Sequence, residues 1–135
     1  MVRFCPLFSG SGGNCTYISS GDFSILIDAG VSAKAICTAL RDIDADPDKI
    51  SAVFVTHEHS DHIKGLRVFA SKHDIPVYAN EATMNELLKH RHSDVKGMRH
   101  KVDCDVCLEY PLEEHGSVNV VHIVLFRYHA DKLIA

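Results

Sequence analysis

An apolar run that leads straight into a cluster of titratable residues is the feature of this sequence that most limits its fold. Residues 52–56 are AVFVT, and residues 57–62 are HEHSDH. A continuous apolar run of this length predicts a strand buried on both faces, as in parallel sheets that helices cover. Polar residues that follow such a strand lie at the edge of the sheet where α/β proteins place their sites. The run therefore predicts an α/β protein with a site next to residue 57.

The residues on both sides of this run support α/β layers. Short strand-like runs alternate with segments whose apolar residues recur at helical spacing. Gly21 and Asp22 are predicted to form a tight hairpin turn, and Ser32 to cap a helix that continues to about Arg41. The fold class predicted from this alternation is α/β (α+β). The predicted strands are 2–9, 14–20, 23–30, 52–56, 75–80 and 117–130, and the predicted helical segments are 32–41, 46–50, 63–73 and 84–88.

Composition narrows the class of protein. A chain of 135 residues predicts one domain, and a net charge of −4 argues against a globally basic nucleic-acid binder, although a local basic groove is compatible with it. The sequence has no apolar run long enough for a membrane helix, which predicts no membrane partner. Five cysteines, an odd number without an export signal, predict reduced thiols and a cytoplasmic location.

Residues 57–62 follow the pattern H-x-H-x-D-H, which is rich in metal-binding side chains. His57 and His59 are two positions apart, so in an extended segment both imidazoles point to one side. Asp61 and His62 lie where the chain is predicted to turn into the next helix, so they point toward a second position. Two histidines with an open coordination position suit Zn²⁺, and a carboxylate with a histidine suits a second divalent metal. We predict a metal site here; the alternative is a solvated polar loop.

Four segments together resemble the metallo-β-lactamase-fold hydrolases, and in more detail the WalJ/YycJ-type subgroup. The segments are SGSGGNCTYI, ILIDAGVSAK, VFVTHEHSDHIKGL and PVYANEAT. The resemblance runs from about residue 3 to about residue 88. It implies the N-terminal half of an αββα sandwich and, from the subgroup, a DNA-processing exonuclease.

The resemblance also implies a role for each site residue. His57 and His59 would bind one metal, and Asp61 and His62 would bind the other. Asp61 would also be a catalytic residue. Asp28 would be a buried acid that braces the metal loop by hydrogen bonding, the alternative being a turn-forming aspartate. The implied reaction is hydrolysis of a DNA phosphodiester by a metal-bound hydroxide, with two Zn²⁺ ions or, alternatively, Mn²⁺. The same fold is compatible with lactone, thioester or amide substrates.

The glycine-rich loop SGSGGN, residues 9–14, has two interpretations. It can be a plain hairpin connection whose glycines supply positive φ angles. Alternatively, its amides with Ser9, Ser11 and Asn14 can hold a phosphate oxygen at the rim of the site. The resemblance favours the second interpretation.

The resemblance ends near residue 88, before the residues that complete the family's metal site. We therefore expect an apparently truncated domain, with 1–88 as its N-terminal half and 89–135 as a divergent segment that completes or caps it. The alternative function is a catalytically inactive relative that binds metal weakly. Such a chain would act only with a second copy or another partner that supplies the missing half-site.

Residues after 88 offer weaker candidates. His115, in LEEHGS, is an extra metal ligand or else a solvated loop histidine. Cys104 and Cys107 form C-x-x-C, for which free thiols are the default and a small zinc site the alternative. A basic cluster is compatible with phosphate contacts, although a solvated surface is the better interpretation. This cluster comprises Lys89, Arg91, Lys96, Arg99 and Lys101.

Overall fold

Six strands form one mixed sheet in the first of the two units into which the chain divides. The computed structural model describes residues 1–89, 100–101, 107–111 and 120–124. The first unit is Met1–Lys101 and the second is Val102–Ala135. In the first, the strand order follows the chain, β1-β2-β3-β4-β5-β6. The strands are β1 Val2–Phe8, β2 Cys15–Ser20, β3 Phe23–Ile27, β4 Ala52–Val55, β5 Val77–Ala79 and β6 His100–Lys101.

The direction of pairing changes within this sheet. β1, β2 and β3 form an antiparallel meander, with Ser20 opposite Phe23 at the predicted Gly21-Asp22 turn. From β3 onward the pairs are parallel, with Ile27 opposite Phe54 and Val55 opposite Ala79. The parallel part brings the carboxyl ends of β3 and β4 side by side, which positions the site described below.

Helices follow the strands of the parallel part. The first begins where predicted: Ser32 caps it, and its hydroxyl oxygen accepts a hydrogen bond from the Ala35 amide at 3.2 Å. A single 3₁₀ turn, Pro47–Lys49, is capped by Asp46 and leads into β4. The remaining helices follow β4 and β5. The helices are α1 Ala33–Asp42, α2 Ser60–Ile63, α3 Leu66–His73 and α4 Glu81–Lys89.

The single helix predicted from Ile63 to His73 is divided, and in this detail the prediction was wrong. α2 and α3 are separate, with Gly65 between them. A Cβ atom at Gly65 would lie 2.0 Å from the Val31 carbonyl oxygen, so the chain passes against the backbone that follows β3. The Gly65 amide donates a hydrogen bond to the Ala29 carbonyl at 2.9 Å. This contact between distant segments sets the boundary, and local periodicity does not report it.

The core lies between one face of the sheet and the helices. Leu26 and Val53 of the sheet are fully buried, as are Ile36, Leu40 and Phe69 of the helices. Burial of this apolar surface is the main source of stability for the sheet and its helices. The α/β class predicted from the sequence is confirmed.

In the second unit the structure describes one antiparallel hairpin. β7 is Cys107–Pro111 and β8 is Val120–Val124, paired with Cys107 opposite Val124. The strand predicted over 117–130 is confirmed for Val120–Val124, and its other residues lie outside those described. None of the helices described is long and apolar enough to cross a membrane.

Candidate metal site

Asp28 and the histidine motif come together because they follow neighbouring parallel strands. Asp28 directly follows β3, and Thr56 and His57 directly follow β4. The Asp28 amide donates a hydrogen bond to the Phe54 carbonyl at 2.8 Å, which extends the pairing of the two strands by one residue. The site is therefore built at the carboxyl edge of the sheet, where the sequence predicts it.

Asp28 is held in a backbone conformation that few side chains adopt. Its φ is 63°, in the left-handed region, where aspartate and asparagine are tolerated better than most residues. This turn ends β3 at Ile27, three residues before the predicted end at Gly30. The residue is only 4% exposed, and its carboxylate points into the loop that carries the motif. A buried, strained aspartate of this kind is typical of functional sites.

The carboxylate of Asp28 is saturated with hydrogen bonds from this loop. Oδ1 accepts one from the Thr56 amide at 2.8 Å, and Oδ2 accepts one from the Thr56 hydroxyl at 2.7 Å. Oδ2 also lies 2.7 Å from Nδ1 of His62. Because a carboxylate only accepts, this contact makes Nδ1 the protonated nitrogen and leaves the Nε2 lone pair of His62 available. Bracing of a ligand by a buried acid is the arrangement that supports metal-binding histidines.

Thr56 is a site residue that sequence reasoning missed. Besides its two hydrogen bonds to Asp28, its Oγ1 lies 3.0 Å from Nδ1 of His57 and 3.4 Å from Nδ1 of His62. The hydroxyl therefore connects the buried acid to two histidines of the motif. Its signal in the sequence is its place between the last apolar residue of β4 and His57.

Three imidazole rings of the motif lie against one another. The ring centroids of His57 and His59 are 4.6 Å apart with the rings edge to face, and those of His57 and His62 are 3.9 Å apart. His57 and His59 lie in the loop after β4, while Asp61 and His62 are in the short helix α2. The loop and the helix thus bring the sequence-predicted ligands to one place.

In the second predicted pair, the carboxylate of Asp61 lies close to the ring nitrogen of His62 that does not contact Asp28. Oδ2 of Asp61 lies 3.5 Å from Nε2 of His62. The side-chain amide of Asn14 is close to both, with Nδ2 3.2 Å from Oδ2 of Asp61 and 3.3 Å from Nε2 of His62. A donor that bridges two electron-rich atoms occupies the position where a cation would also be attracted.

The donor set suits a divalent metal, although the described side chains do not form a closed ligand cage. No group of three or more His, Cys, Asp or Glu side chains within the described ranges is arranged to hold a metal ion. Imidazole nitrogens and one carboxylate are nevertheless the donors that Zn²⁺ takes. His62 already has the tautomer and the bracing that a ligand needs, because Asp28 fixes its Nδ1.

Close backbone packing joins the glycine-rich loop to the motif. The Asn14 amide donates to the Asp61 carbonyl at 2.7 Å, and the Gly30 amide donates to the Asn14 carbonyl at 2.8 Å. A Cβ atom at Gly30 would lie 1.6 Å from the Asp61 carbonyl oxygen and 2.5 Å from the Asn14 nitrogen. Only glycine allows the three segments to approach this closely.

The three polar residues proposed for the rim differ in their contacts. Asn14 is joined to the motif by the contacts above, and its Oδ1 accepts a hydrogen bond from the Gly10 amide at 3.1 Å. Ser9 and Ser11 are exposed in the same loop. Within the described residues, Asn14 is the one of the three that contacts the motif.

Cys15, the first residue of β2, lies in the core beneath the site. It is 1% exposed. Burial, and to a smaller extent the Asp28 carboxylate, raises the pKa of its thiol to about 12. Cys15 is therefore a neutral packing residue at physiological pH.

The other candidates fall largely outside the described residues. His115 and Cys104 are among those not described, as are Arg91, Lys96 and Arg99 of the basic cluster. Cys107 is described only as the first residue of β7, and Lys101 only as part of β6. Lys89 ends α4, where its Nζ lies 2.6 Å from Oε1 of Glu86.

Comparison with known families identifies the chain's lineage. A model of the metallo-β-lactamase superfamily matches residues 9–129. The chain belongs to the metallo-β-lactamase superfamily.

The resemblance to WalJ/YycJ-type proteins is also confirmed. The chain is 46% identical over 86 residues to the exodeoxyribonuclease YycJ of Bacillus anthracis, covering 64% of this chain and 33% of that protein. It is 43% identical over 81 residues to the exodeoxyribonuclease WalJ of Streptococcus pneumoniae, covering 60% of this chain and 30% of that protein.

Solved structures agree on the fold. A metallo-β-lactamase of Cronobacter sakazakii matches with a TM-score of 0.55 at 21% identity, over 59% of this chain and 33% of that one. The Rm3 metallo-β-lactamase matches with a TM-score of 0.54 at 22% identity, over 62% of this chain and 34% of that one. The chain spans about a third of the length of the curated relatives that it matches.

Proposed function

We propose that this chain carries the metal-binding half-site of a hydrolase that cleaves DNA phosphodiester bonds as an exonuclease. The observation that carries the proposal is the 2.7 Å contact between His62 Nδ1 and Asp28 Oδ2, which orients a metal-binding nitrogen from a buried acid. His57 and His59 would hold one divalent metal. Asp61 and His62 would hold the other, with Zn²⁺ or Mn²⁺ as the ions.

The chain's own residues would prepare the site for these ions. Asp28 and Thr56 keep Nδ1 of His62 protonated, so that Nε2 presents its lone pair. Asp61 would be both a ligand and a catalytic residue, because its Oδ2 borders the same position. Divalent metals at such a site activate water and stabilise the charge that develops on a transferring phosphoryl group.

The proposed substrate class rests on the named relatives and on the site's rim. YycJ and WalJ, which align with this chain over 86 and 81 residues, are both named exodeoxyribonucleases. Asn14 supplies an amide donor beside Asp61, where it would bind a non-bridging phosphate oxygen. The same relatives favour a hydrolase over the alternative of an inactive chain.

Completion of the site is also part of the proposal. Each metal would have two protein ligands from residues 57–62. We propose that residues 89–135 complete or cap the domain begun by 1–88, and that His115 or a second copy of the chain supplies further ligands. A cytoplasmic location follows as a proposal from the DNA substrate and the odd number of cysteines.

Metal content per chain tests the proposal. We would measure it by elemental analysis of purified protein and record the oligomeric state by light scattering. The variants are His57→Ala/His59→Ala, Asp61→Asn and, as a matched control from the same loop, Glu58→Gln. We expect about two metals per chain in the wild type and in Glu58→Gln. We also expect fewer metals in the other variants.

Nuclease assays on end-labelled DNA, with Zn²⁺ or Mn²⁺ added, then follow the metal measurement. Activity should fall at least about 10³-fold in the double variant and in Asp61→Asn but persist in Glu58→Gln. Metal content near zero, or a content that the double variant does not change, would contradict the proposal and favour the inactive alternative.

A further inference from the structure

A second group of reactive side chains lies away from the motif, between α1, α3 and the 3₁₀ turn. Cys37 is in α1, His73 ends α3, and Asp48 is in the turn that precedes β4. Nδ1 of His73 lies 2.5 Å from Oδ1 of Asp48, and Nε2 of His73 lies 3.5 Å from Sγ of Cys37. A thiol, an imidazole and a carboxylate are therefore connected in one line.

The carboxylate at one end of this line of side chains fixes which atom donates in each hydrogen bond. The Asp48 carboxylate only accepts, so Nδ1 of His73 donates to it and Nε2 is left as an acceptor. The thiol of Cys37 then donates to Nε2. A thiol, a base that can take its proton and a third group that orients the base form the arrangement of an activated nucleophile.

Burial limits what can reach the thiol. Cys37 is 5% exposed and the side chain of His73 is 4% exposed, whereas the side chain of Asp48 is 77% exposed. The line of side chains therefore runs from the surface into the core. Because only 5% of Cys37 is exposed, we expect a reagent of a few atoms to reach its thiol and a bulky disulfide or a protein substrate to be excluded.

We propose that Cys37, His73 and Asp48 form a thiol-oxidation site for small hydroperoxides. His73 Nε2 takes the proton of Cys37, and the thiolate sulfur attacks the terminal oxygen of the hydroperoxide. The S–O bond forms as the O–O bond breaks, and the departing oxygen takes the proton back from His73 and leaves as water or an alcohol. Cys37 is oxidised by two electrons to a sulfenic acid and the hydroperoxide is reduced.

Cys15 provides an internal reference for this site. It is also buried, at 1% exposed, but its charged neighbour is the Asp28 carboxylate and not an imidazole. If oxidation needed the whole fold to open, both thiols would react. Oxidation that depends on His73 should instead modify Cys37 and not Cys15. The proposal is independent of the hydrolase function, because neither thiol belongs to the metal motif.

The test is a timed exposure of the folded full chain to hydrogen peroxide, which catalase then removes before the chain is unfolded in dimedone to trap sulfenic acid. Peptide mass spectrometry then gives separate rates for Cys37 and Cys15. We expect Cys37 to react at least about tenfold faster than Cys15, and His73→Gln to slow it by about tenfold or more. Asp48→Asn, at an exposed position, should slow Cys37 without disturbing the fold. Cumene hydroperoxide, which is bulky, should leave Cys37 unmodified.

Two results would overturn the proposal. One is equal rates for Cys37 and Cys15, which would mean that oxidation needs global opening. The other is a Cys37 rate that neither Asp48→Asn nor His73→Gln changes, which would mean that the thiol reacts without the imidazole.

Discussion

Nδ1 of His62 lies 2.7 Å from Oδ2 of Asp28, although the two residues are 34 positions apart in the chain. β3 and β4 are parallel neighbours, so the residues that follow them meet at one edge of the sheet. The contact fixes the tautomer of His62, and with it the nitrogen that is free to bind a metal. The sheet topology thus sets the chemistry of the motif.

Replacing Asp28 with asparagine should weaken metal binding more than it weakens the fold. Asparagine tolerates the φ of 63°, but its Nδ2 cannot accept the hydrogen bonds that Oδ2 accepts from Thr56 and His62. We expect Zn²⁺ affinity to fall about 10- to 100-fold. The free energy of unfolding should fall by about 1–3 kcal/mol. Zinc titration and urea denaturation measure the two effects.

Asp74→Asn is the matched control for this variant. Asp74 also has a positive φ, 52°, but it is exposed at the end of α3. Its replacement should change the free energy of unfolding by less than about 0.5 kcal/mol and leave zinc affinity unchanged. Equal zinc affinity in wild type and Asp28→Asn would show that the acid does not brace a ligand.

The histidine motif and the succession of strands and helices along the chain could be predicted because their signals are local. The apolar run before His57 marks a buried strand, and polar residues after it mark the site. The role of Thr56 and the break at Gly65 could not be predicted this way. Both depend on contacts with the segment after β3, through Asp28 and Val31. Likewise, nothing local in the sequence indicates that Cys37 meets His73 across 36 positions.

Gly30→Ala should be strongly destabilising. The added Cβ would lie 1.6 Å from the Asp61 carbonyl oxygen, a backbone atom that cannot move aside by rotating a side chain. We expect a loss of about 3 kcal/mol or more in the free energy of unfolding. Gly12→Ala, where a Cβ meets no atom within 4 Å, should stay within about 1 kcal/mol of wild type. Similar denaturation midpoints for both variants would mean that the three segments do not pack as described.

The stability contributed by Cys15 should be lost at alkaline pH. Burial, with a smaller contribution from Asp28, raises its pKa from 9.0 to about 12, so between these values the folded state keeps a proton that the unfolded state releases. This contribution is fully present below about pH 9 and is lost as the pH rises toward 12. The difference in unfolding free energy between wild type and Cys15→Ala should therefore shrink by about 1.4 kcal/mol per pH unit. Urea denaturation of both proteins at pH 7, 9 and 10 measures this difference. A constant difference would contradict the raised pKa.

Asn14→Ala should change the affinity of one of the two proposed metals and leave the affinity of the other unchanged. The side chain contacts Asp61 and His62, through Nδ2 at 3.2 Å and 3.3 Å, while the backbone amide of Asn14 keeps its own bond to Asp61. The loop should therefore stay in place, with a stability cost of about 1 kcal/mol. Metal held by Asp61 and His62 should bind more tightly, because the amide no longer occupies the position between Oδ2 of Asp61 and Nε2 of His62. Metal held by His57 and His59 should be unaffected.

Stepwise zinc titration of the Asn14→Ala variant distinguishes these outcomes. Two binding steps are expected in wild type and in Ser11→Ala, a control at an exposed position of the same loop. In Asn14→Ala only the step that belongs to Asp61 and His62 should shift, by about tenfold toward tighter binding. A shift of both steps by the same factor would mean that Asn14 acts on the whole loop, and no shift would mean that its amide does not influence the metal position.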